Sequence, residues 1–298
     1  MSTHRPAVPD AQHKLGVLTS SLVYLRCLLA NLFHKLVIGR VRSRGQVTSD
    51  YDQGEWLGTL REARWERCKD LADYVFTNDT QPIDAIVDGR LTRLPRRDYY
   101  RYRTQKLVAT LQRHAGDTET LVEIGSGAGR NLVALAYAGP WQSLLGLELS
   151  QTGREVTRKV CDRFGIGSVQ AVHVDLLDPG SEGFDKLRGA VVFSFYCLEQ
   201  LPAYTRRVMD NLCRAGVKRV IHIEPTTELF SAGSLKDLAT ISYIWRQDYQ
   251  RTLVSTAQAM QAEGTVRLLA CERLHFAPSC RNDPTLVVWE PVNATDRP

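Results

Sequence analysis

From residue 120 onward the chain alternates between two periodicities, and nothing else in it restricts the fold as much. Apolar, β-type runs stand at 120–124 (TLVEI), 143–148 (SLLGLE), 168–174 (SVQAVHV), 190–195 (AVVFSF) and 217–223 (VKRVIHI). Helical stretches at about 129–138, 152–164 and 202–214 separate several of them. Strands apolar on both faces that alternate with helices form a parallel sheet covered by helices on each side. Two further β runs, 265–274 and 285–290, are joined only by the loop 275–284 with its two prolines. So short a link cannot make a parallel crossover, and these two strands are expected to pair antiparallel. The expected architecture is α/β: a doubly wound, seven-stranded, mostly parallel sheet whose last strand is antiparallel.

The first hundred residues read as an α-helical N-terminal extension, 1–100, to a domain spanning 101–298. From 15 to about 41 the spacing predicts one helix. Leu15, Leu18, Leu22, Leu25, Leu29, Leu32 and Leu36 recur at alternating intervals of three and four, which stacks them into a stripe. No acidic residue occurs between Asp10 and Asp50, whereas Lys14, Arg26, Lys35, Arg40, Arg42 and Arg44 do. Two readings stay open. The stripe packs on the main domain or on a second subunit as a homodimer contact, or the helix lies on an anionic membrane as a peripheral contact. The opposite face (Ser20, Tyr24, Cys27, Asn31) is only weakly polar. Arg26 interrupts the apolar run and no small-x-small site follows it, so neither a signal peptide nor a membrane span is expected. A linker (43–54) precedes a helix expected from Glu55 to about Asp73. Residues 96–106 (RRDYYRYRTQK) interleave Arg with Tyr. We read them as the start of a helix with packed tyrosines and solvated arginines, the lesser reading being a ligand entrance.

Charge follows the same division. Residues 1–110 hold 18 Lys and Arg against 12 Asp and Glu, and the remaining 188 hold 20 against 21. Nucleic-acid binding wants concentrated basic charge, so a near-neutral core speaks against it. The basic third is expected to serve docking rather than catalysis. Seven scattered cysteines without a C-x-x-C pair fit a reducing compartment, and we expect a cytoplasmic protein, membrane-associated if the helix docks there.

Leu121 to Asn131 (LVEIGSGAGRN) carries the chemistry. A buried strand runs straight into Gly125, Gly127 and Gly129 and then into a helix, so that backbone amides approach a ligand without Cβ interference. The spacing is G-x-G-x-G, not the G-x-G-x-x-G of dinucleotide binders. Glu123, two residues before the first glycine, would repel a pyrophosphate but suits a cationic amino-acid ligand.

At these residues the chain resembles the class I S-adenosylmethionine-dependent methyltransferases, over about residues 100–290. The resemblance implies the Rossmann-like methyltransferase fold with S-adenosyl-L-methionine as methyl donor. Glu123, Gly125, Ser126, Gly127, Gly129 and Asn131 would cradle its methionine part. Glu148, with Leu149 beside it, closes the second strand and would hold the two ribose hydroxyls. Asp175 and Leu176 would flank the adenine. The segment Ser194 to Leu201 (SFYCLEQL) would border the cofactor's methyl group and, through Tyr196, the substrate. It also implies that the stretch 226–251 builds an acceptor pocket, with Tyr243, Trp245, Arg246 and Tyr249 in its wall. Trp245 and Tyr249, four apart, equally fit a helix's core stripe.

A hydroxyl acceptor needs a base at the C-terminal ends of strands four and five. Glu199 stands at the first; Glu224 and His222 (VIHIEP) stand at the second, two apart and on one face. We rank Glu224 and Glu199 before His222, because a strand-interior His is more often a satisfied core residue. No D/N/S-P-P-Y/F, Pro-Cys or double-Glu loop marks base, cytosine or arginine methylation. Ser194 and Phe195 stand where catechol-type relatives carry metal ligands, so no metal is expected. The expected acceptor is a small or medium molecule, with a sugar or specialised-metabolite hydroxyl first. The alternatives are a lipid-linked or envelope glycan at the membrane surface and a non-catalytic scaffold of the same fold.

Overall fold

The computed structural model describes residues 14–38 and 50–292. A helix α1 (Val17–Ile38) begins the chain; the expected helix end at 41 and most of the linker lie outside the described residues. After a single π-type turn (Asp50–Glu55), three short helices follow where one was expected: α2 (Trp56–Glu62), α3 (Arg64–Arg67) and α4 (Leu71–Phe76). Ala63, in the left-handed region at φ 43°, breaks the run between the first two.

The extension is not wholly helical. Strands β1 (Pro82–Val87) and β2 (Arg90–Pro95) form an antiparallel hairpin closed by Asp88 and Gly89, both at positive φ. Asp-Gly between apolar runs is a strong hairpin signal, because both residues tolerate the left-handed conformations of a tight turn. The hairpin ties the extension down: Ile86 exchanges backbone hydrogen bonds with Ala277, and Leu15 donates to Leu91.

The rest alternates as its periodicity requires: α5 (Arg96–Ala115), β3 (Thr120–Ile124), α6 (Arg130–Ala138), β4 (Ser143–Glu148), α7 (Gln151–Phe164), β5 (Val169–His173), β6 (Val191–Phe195), α8 (Thr205–Ala215), β7 (Arg219–Glu224), α9 (Leu235–Gln247), α10 (Leu253–Ala262), β8 (Val266–Arg273) and β9 (Thr285–Pro291). The seven-stranded sheet has the order β5-β4-β3-β6-β7-β9-β8. All neighbours are parallel except β9, which runs antiparallel to both β7 and β8. Successive side chains of β3 enter opposite cores. Leu121 packs with the α5, α6 and α7 side; Val122 and Ile124 pack with the α8 and α10 side. The chain winds outward from β3 through β4 to β5 and returns to β6, so the order reverses between β3 and β6. Open α/β sheets bind ligands at the strand C-termini of such a point.

Candidate active site

A cleft of about 750 Å³ lies at that reversal. Its floor is the turn after β3. Gly125, Gly127 and Gly129 all sit at positive φ. At Gly127 (φ 55°) a Cβ would stand 2.6 Å from the Trp56 ring, and at Gly125 (φ 66°) it would collide with the Cys197 thiol. Only glycine lets the turn run beneath these neighbours. Gly125, Ser126, Gly127 and Asn131 line the cleft, as do Glu148 and Leu149 after β4, and Asp175 and Leu176 after β5.

Glu148 organises this end. One carboxylate oxygen accepts from the Gly127 amide and the other from the Ser150 amide, each at 2.7 Å. A carboxylate has about four acceptor sites, so the backbone amides of Gly127, Ser150 and Leu149 do not exhaust it and a ligand hydroxyl can still be accepted. Glu123 lies one layer deeper, wholly buried, and accepts from Asn131 Nδ2 at 2.6 Å. Burial pushes its carboxyl up to about 8, against the opposing pull of Asn131 and Arg103. Its Oε2 has no hydrogen-bond partner. An orphaned buried carboxylate oxygen in this position suits a cation.

No protein-family model matches the sequence, and no curated protein matches it either. Solved structures do match the fold. The [4+2]-cyclase SpnF superposes with a TM-score of 0.56 at 12% identity, over 85% of this chain and 98% of the other. Magnesium protoporphyrin IX methyltransferase of Synechocystis PCC 6803, solved with bound SAH, superposes with a TM-score of 0.51 at 12% identity, over 83% and 100%. The chain has the class I methyltransferase fold.

Within the methyltransferase fold, the expected site residues separate into two groups. Gly129 holds the turn from below; a Cβ there would meet Thr157 at 2.5 Å. Ser194 does not reach the cleft. It is fully buried and its hydroxyl is bonded to His222 Nδ1 at 2.9 Å. His222 is likewise sealed in the sheet, 6.1 Å from the Trp289 ring, and burial drives its imidazole down to about 3. A base role for His222 is therefore not what the structure provides: its side chain points into the α8/α10 core.

Glu224 shares that face. Its carboxylate accepts the amides of Cys197 (3.0 Å) and Glu199 (3.4 Å), and burial raises it to about 7. It braces the turn after β6 from behind and does not line the cleft, so of the three base candidates only Glu199 does. Glu199 is 5% exposed and accepts from Gln200 Nε2 at 2.8 Å, and the side chains of Asn282 and Tyr249 also hydrogen-bond its carboxyl. Burial, and then repulsion from Glu224, hold it well above the usual carboxylate range. Tyr196, which also lines the cleft, is held at φ 55° with its hydroxyl donated to the Asn282 carbonyl at 2.7 Å. A non-glycine residue held there marks a turn over-determined by its surroundings.

The acceptor wall expected after strand five is elsewhere. Tyr243, Trp245 and Arg246 lie on α9, which packs against α1: Lys35 sits 5.6 Å above the Trp245 ring and Arg246 donates to Asn31 Oδ1. Tyr249 packs on Tyr243 and contacts Glu199 from outside the cleft. The opposite wall comes instead from the N-terminal third: Tyr51, Trp56, Arg64, Trp65, Tyr74, Tyr99, Tyr100 and Arg103. Arg103 caps the Phe195 ring at 4.4 Å and donates to Asn131 Oδ1 at 2.5 Å, extending the Glu123–Asn131 chain of bonds. Arg130 stacks on Tyr100 at 4.0 Å. The Arg–Tyr run of 96–106 opens α5 with Tyr99 and Tyr102 packed and Arg96 and Arg101 solvated, as read, and it also supplies Tyr99, Tyr100 and Arg103 to the cleft. The basic third is part of the site.

Proposed function

We propose that the protein transfers a methyl group from S-adenosyl-L-methionine to a hydroxyl oxygen of an acceptor held beneath the aromatic wall. The observation that carries this reading is one shared cleft. The glycine turn, Glu148 and Asp175 line it at successive strand ends, and Glu199 borders it after β6. When bound, S-adenosylmethionine supplies an electrophilic methyl on a sulfonium, displaced in line by the acceptor oxygen. The chain's residues do the rest. Glu148 accepts ribose hydroxyls, the glycine amides and Glu123 receive the amino-acid end, and the Glu199 carboxylate takes the acceptor's proton. Trp56, Tyr100 and Tyr196 stack on the acceptor, and the buried Trp65 and Tyr99 rings back them and exclude water. Such a wall suits a sugar or an extended specialised metabolite, and we keep a lipid-linked glycan as the second acceptor class. The reading invokes no metal, since Ser194 and Phe195 replace the metal-holding side chains of catechol-type relatives.

A second reading keeps the fold and drops the methyl transfer, and it is favoured by the likeness to a chain named a cyclase. Incubation with S-adenosylmethionine and pooled acceptors separates the two. Methyl transfer predicts acceptor-dependent release of S-adenosylhomocysteine; binding without release sinks it.

The buried carboxylates also give donor binding a pH dependence. Glu123 ionises near 8 in the folded protein, and burial raises Glu148 as well. A cation binds the ionised forms, so raising pH from 6 to 8.5 is expected to tighten S-adenosylmethionine about tenfold with release of protons. S-adenosylhomocysteine, which carries the same ammonium at its amino-acid end, should follow the same trend. Calorimetry in buffers of differing ionisation enthalpy reads affinity and proton release together, and an affinity unchanged between pH 6 and 8.5 would contradict the placement of Glu123.

A further inference from the structure

The leucine stripe of α1 faces outward. Leu18 is 82% exposed, Leu22 67%, Leu29 57%, Phe33 68% and Leu36 76%. Nine of the twelve exposed large apolar side chains among the described residues belong to this one helix. Its weakly polar face does the packing. Asn31, fully buried, donates to Ser242 Oγ at 3.1 Å and to the Ala239 carbonyl at 3.4 Å, and accepts from Arg246. Tyr24 is buried in the same seam, against Ala239 and Cys280. The helix is thus bolted to the domain by the side that a globular protein would show to water, and it presents the side a core would bury.

We infer that α1 is an in-plane docking helix for an anionic lipid bilayer. The charge around the stripe selects this occupant over a second copy of the chain. Arg26 is exposed beside the stripe and Lys14 precedes it, with Arg40, Arg42 and Arg44 following in sequence and no acid from residue 11 to 49. Pairing two such helices would bring like charges together with no carboxylate to answer them. Anionic headgroups answer such charge, each basic residue near the surface strengthening binding about fivefold, while the leucines enter the acyl boundary. The 21 residues Val17–Val37 are long and apolar enough to cross a membrane, but a crossing helix would have to abandon the Asn31 bonds to α9. The docking helix adjoins the loop 278–283, whose Pro278 and Asn282 line the cleft.

Flotation of the full chain with phosphatidylcholine vesicles, with and without added anionic phosphatidylglycerol, tests this. The wild type is expected to float with the anionic vesicles and to be released by high salt or alkaline carbonate. The exposed-face double variant L22E/L29E is expected to lose at least tenfold in binding with its thermal melting unchanged. Absence of flotation with anionic vesicles overturns the inference. So does retention through carbonate, which would mark a spanning helix. Self-association in sedimentation velocity that disappears in L22E/L29E, without lipid binding, would assign the stripe to a second copy instead. These readouts involve no methyl transfer, so the docking surface stands or falls apart from the proposed activity.

Discussion

Glu148→Gln is expected to weaken S-adenosylmethionine at least a hundredfold while leaving the fold intact. The carboxylate binds in two directions. Toward the protein it accepts the Gly127 and Ser150 amides, both at 2.7 Å, and so sets the height of the glycine turn. Toward the cleft its remaining lone pairs meet the ligand. Glutamine has the same shape but one acceptor oxygen, so its amide group would face a backbone N–H donor to donor and the turn must shift. Hydrogen bonds to a charged partner contribute about 1.5–3 kcal/mol each, and losing two of them is roughly 3 kcal/mol or more, beyond a hundredfold in Kd. Stability should fall by about 1–3 kcal/mol, the cost of one backbone N–H left without its acceptor, with the fold retained. Calorimetric titration beside near-UV circular dichroism reads both quantities. Unchanged affinity in a folded variant would remove Glu148 from the site and, with it, the argument for the donor.

Glu199→Gln should separate binding from turnover. Gln200 Nε2 can still donate to the amide oxygen, and the Glu199 backbone bond to Glu224 is untouched, so the turn keeps its shape. What disappears is the proton acceptor. General-base removal costs about 10² to 10⁴ in rate, so kcat is expected to fall at least a hundredfold with KM within a few fold. The pH profile carries the sign. Burial and the Glu224 charge raise the Glu199 carboxyl, which must be ionised to accept a proton. Wild-type kcat/KM should therefore climb with pH through a limb well above the ordinary carboxylate value and flatten in the variant. The limb reports the Glu199–Glu224 pair together. A variant that retains wild-type turnover and the same rising limb would move the base elsewhere.

These predictions rest on residues whose legibility in the sequence differed greatly. Glu148 and Asp175 were readable because an α/β chain places the end of each parallel strand at one rim. Locating a strand by its apolar run therefore locates the residue after it. Strand boundaries agreed within two residues for the same reason: Thr120–Ile124 and Ser143–Glu148 are apolar on both faces and bounded by turn residues. His222 and Glu224 were placed on one face correctly, but periodicity does not say what that face meets. Here it is the core around Trp289 and the back of the 196–199 turn. The hairpin at Asp88-Gly89 is legible in its turn residues, whereas the cleft wall from Tyr51 to Arg103 is only hinted at by the Arg–Tyr interleaving.

The sequence by itself determined the layering of the sheet, the reversed last strand and the glycine turn, because these follow from spacing along one strand or one turn. It also determined that residues 15–36 carry a leucine stripe. Which way that stripe faces was decided by the tertiary structure alone. Asn31 lies 208 residues from Ala239 and 211 from Ser242, and no local pattern reports that those partners meet. A helix of this composition normally turns its apolar face inward, since burial of each leucine contributes about 1.5–3 kcal/mol. Here α9 offers hydrogen-bond partners to the opposite face, and the leucines are left outside.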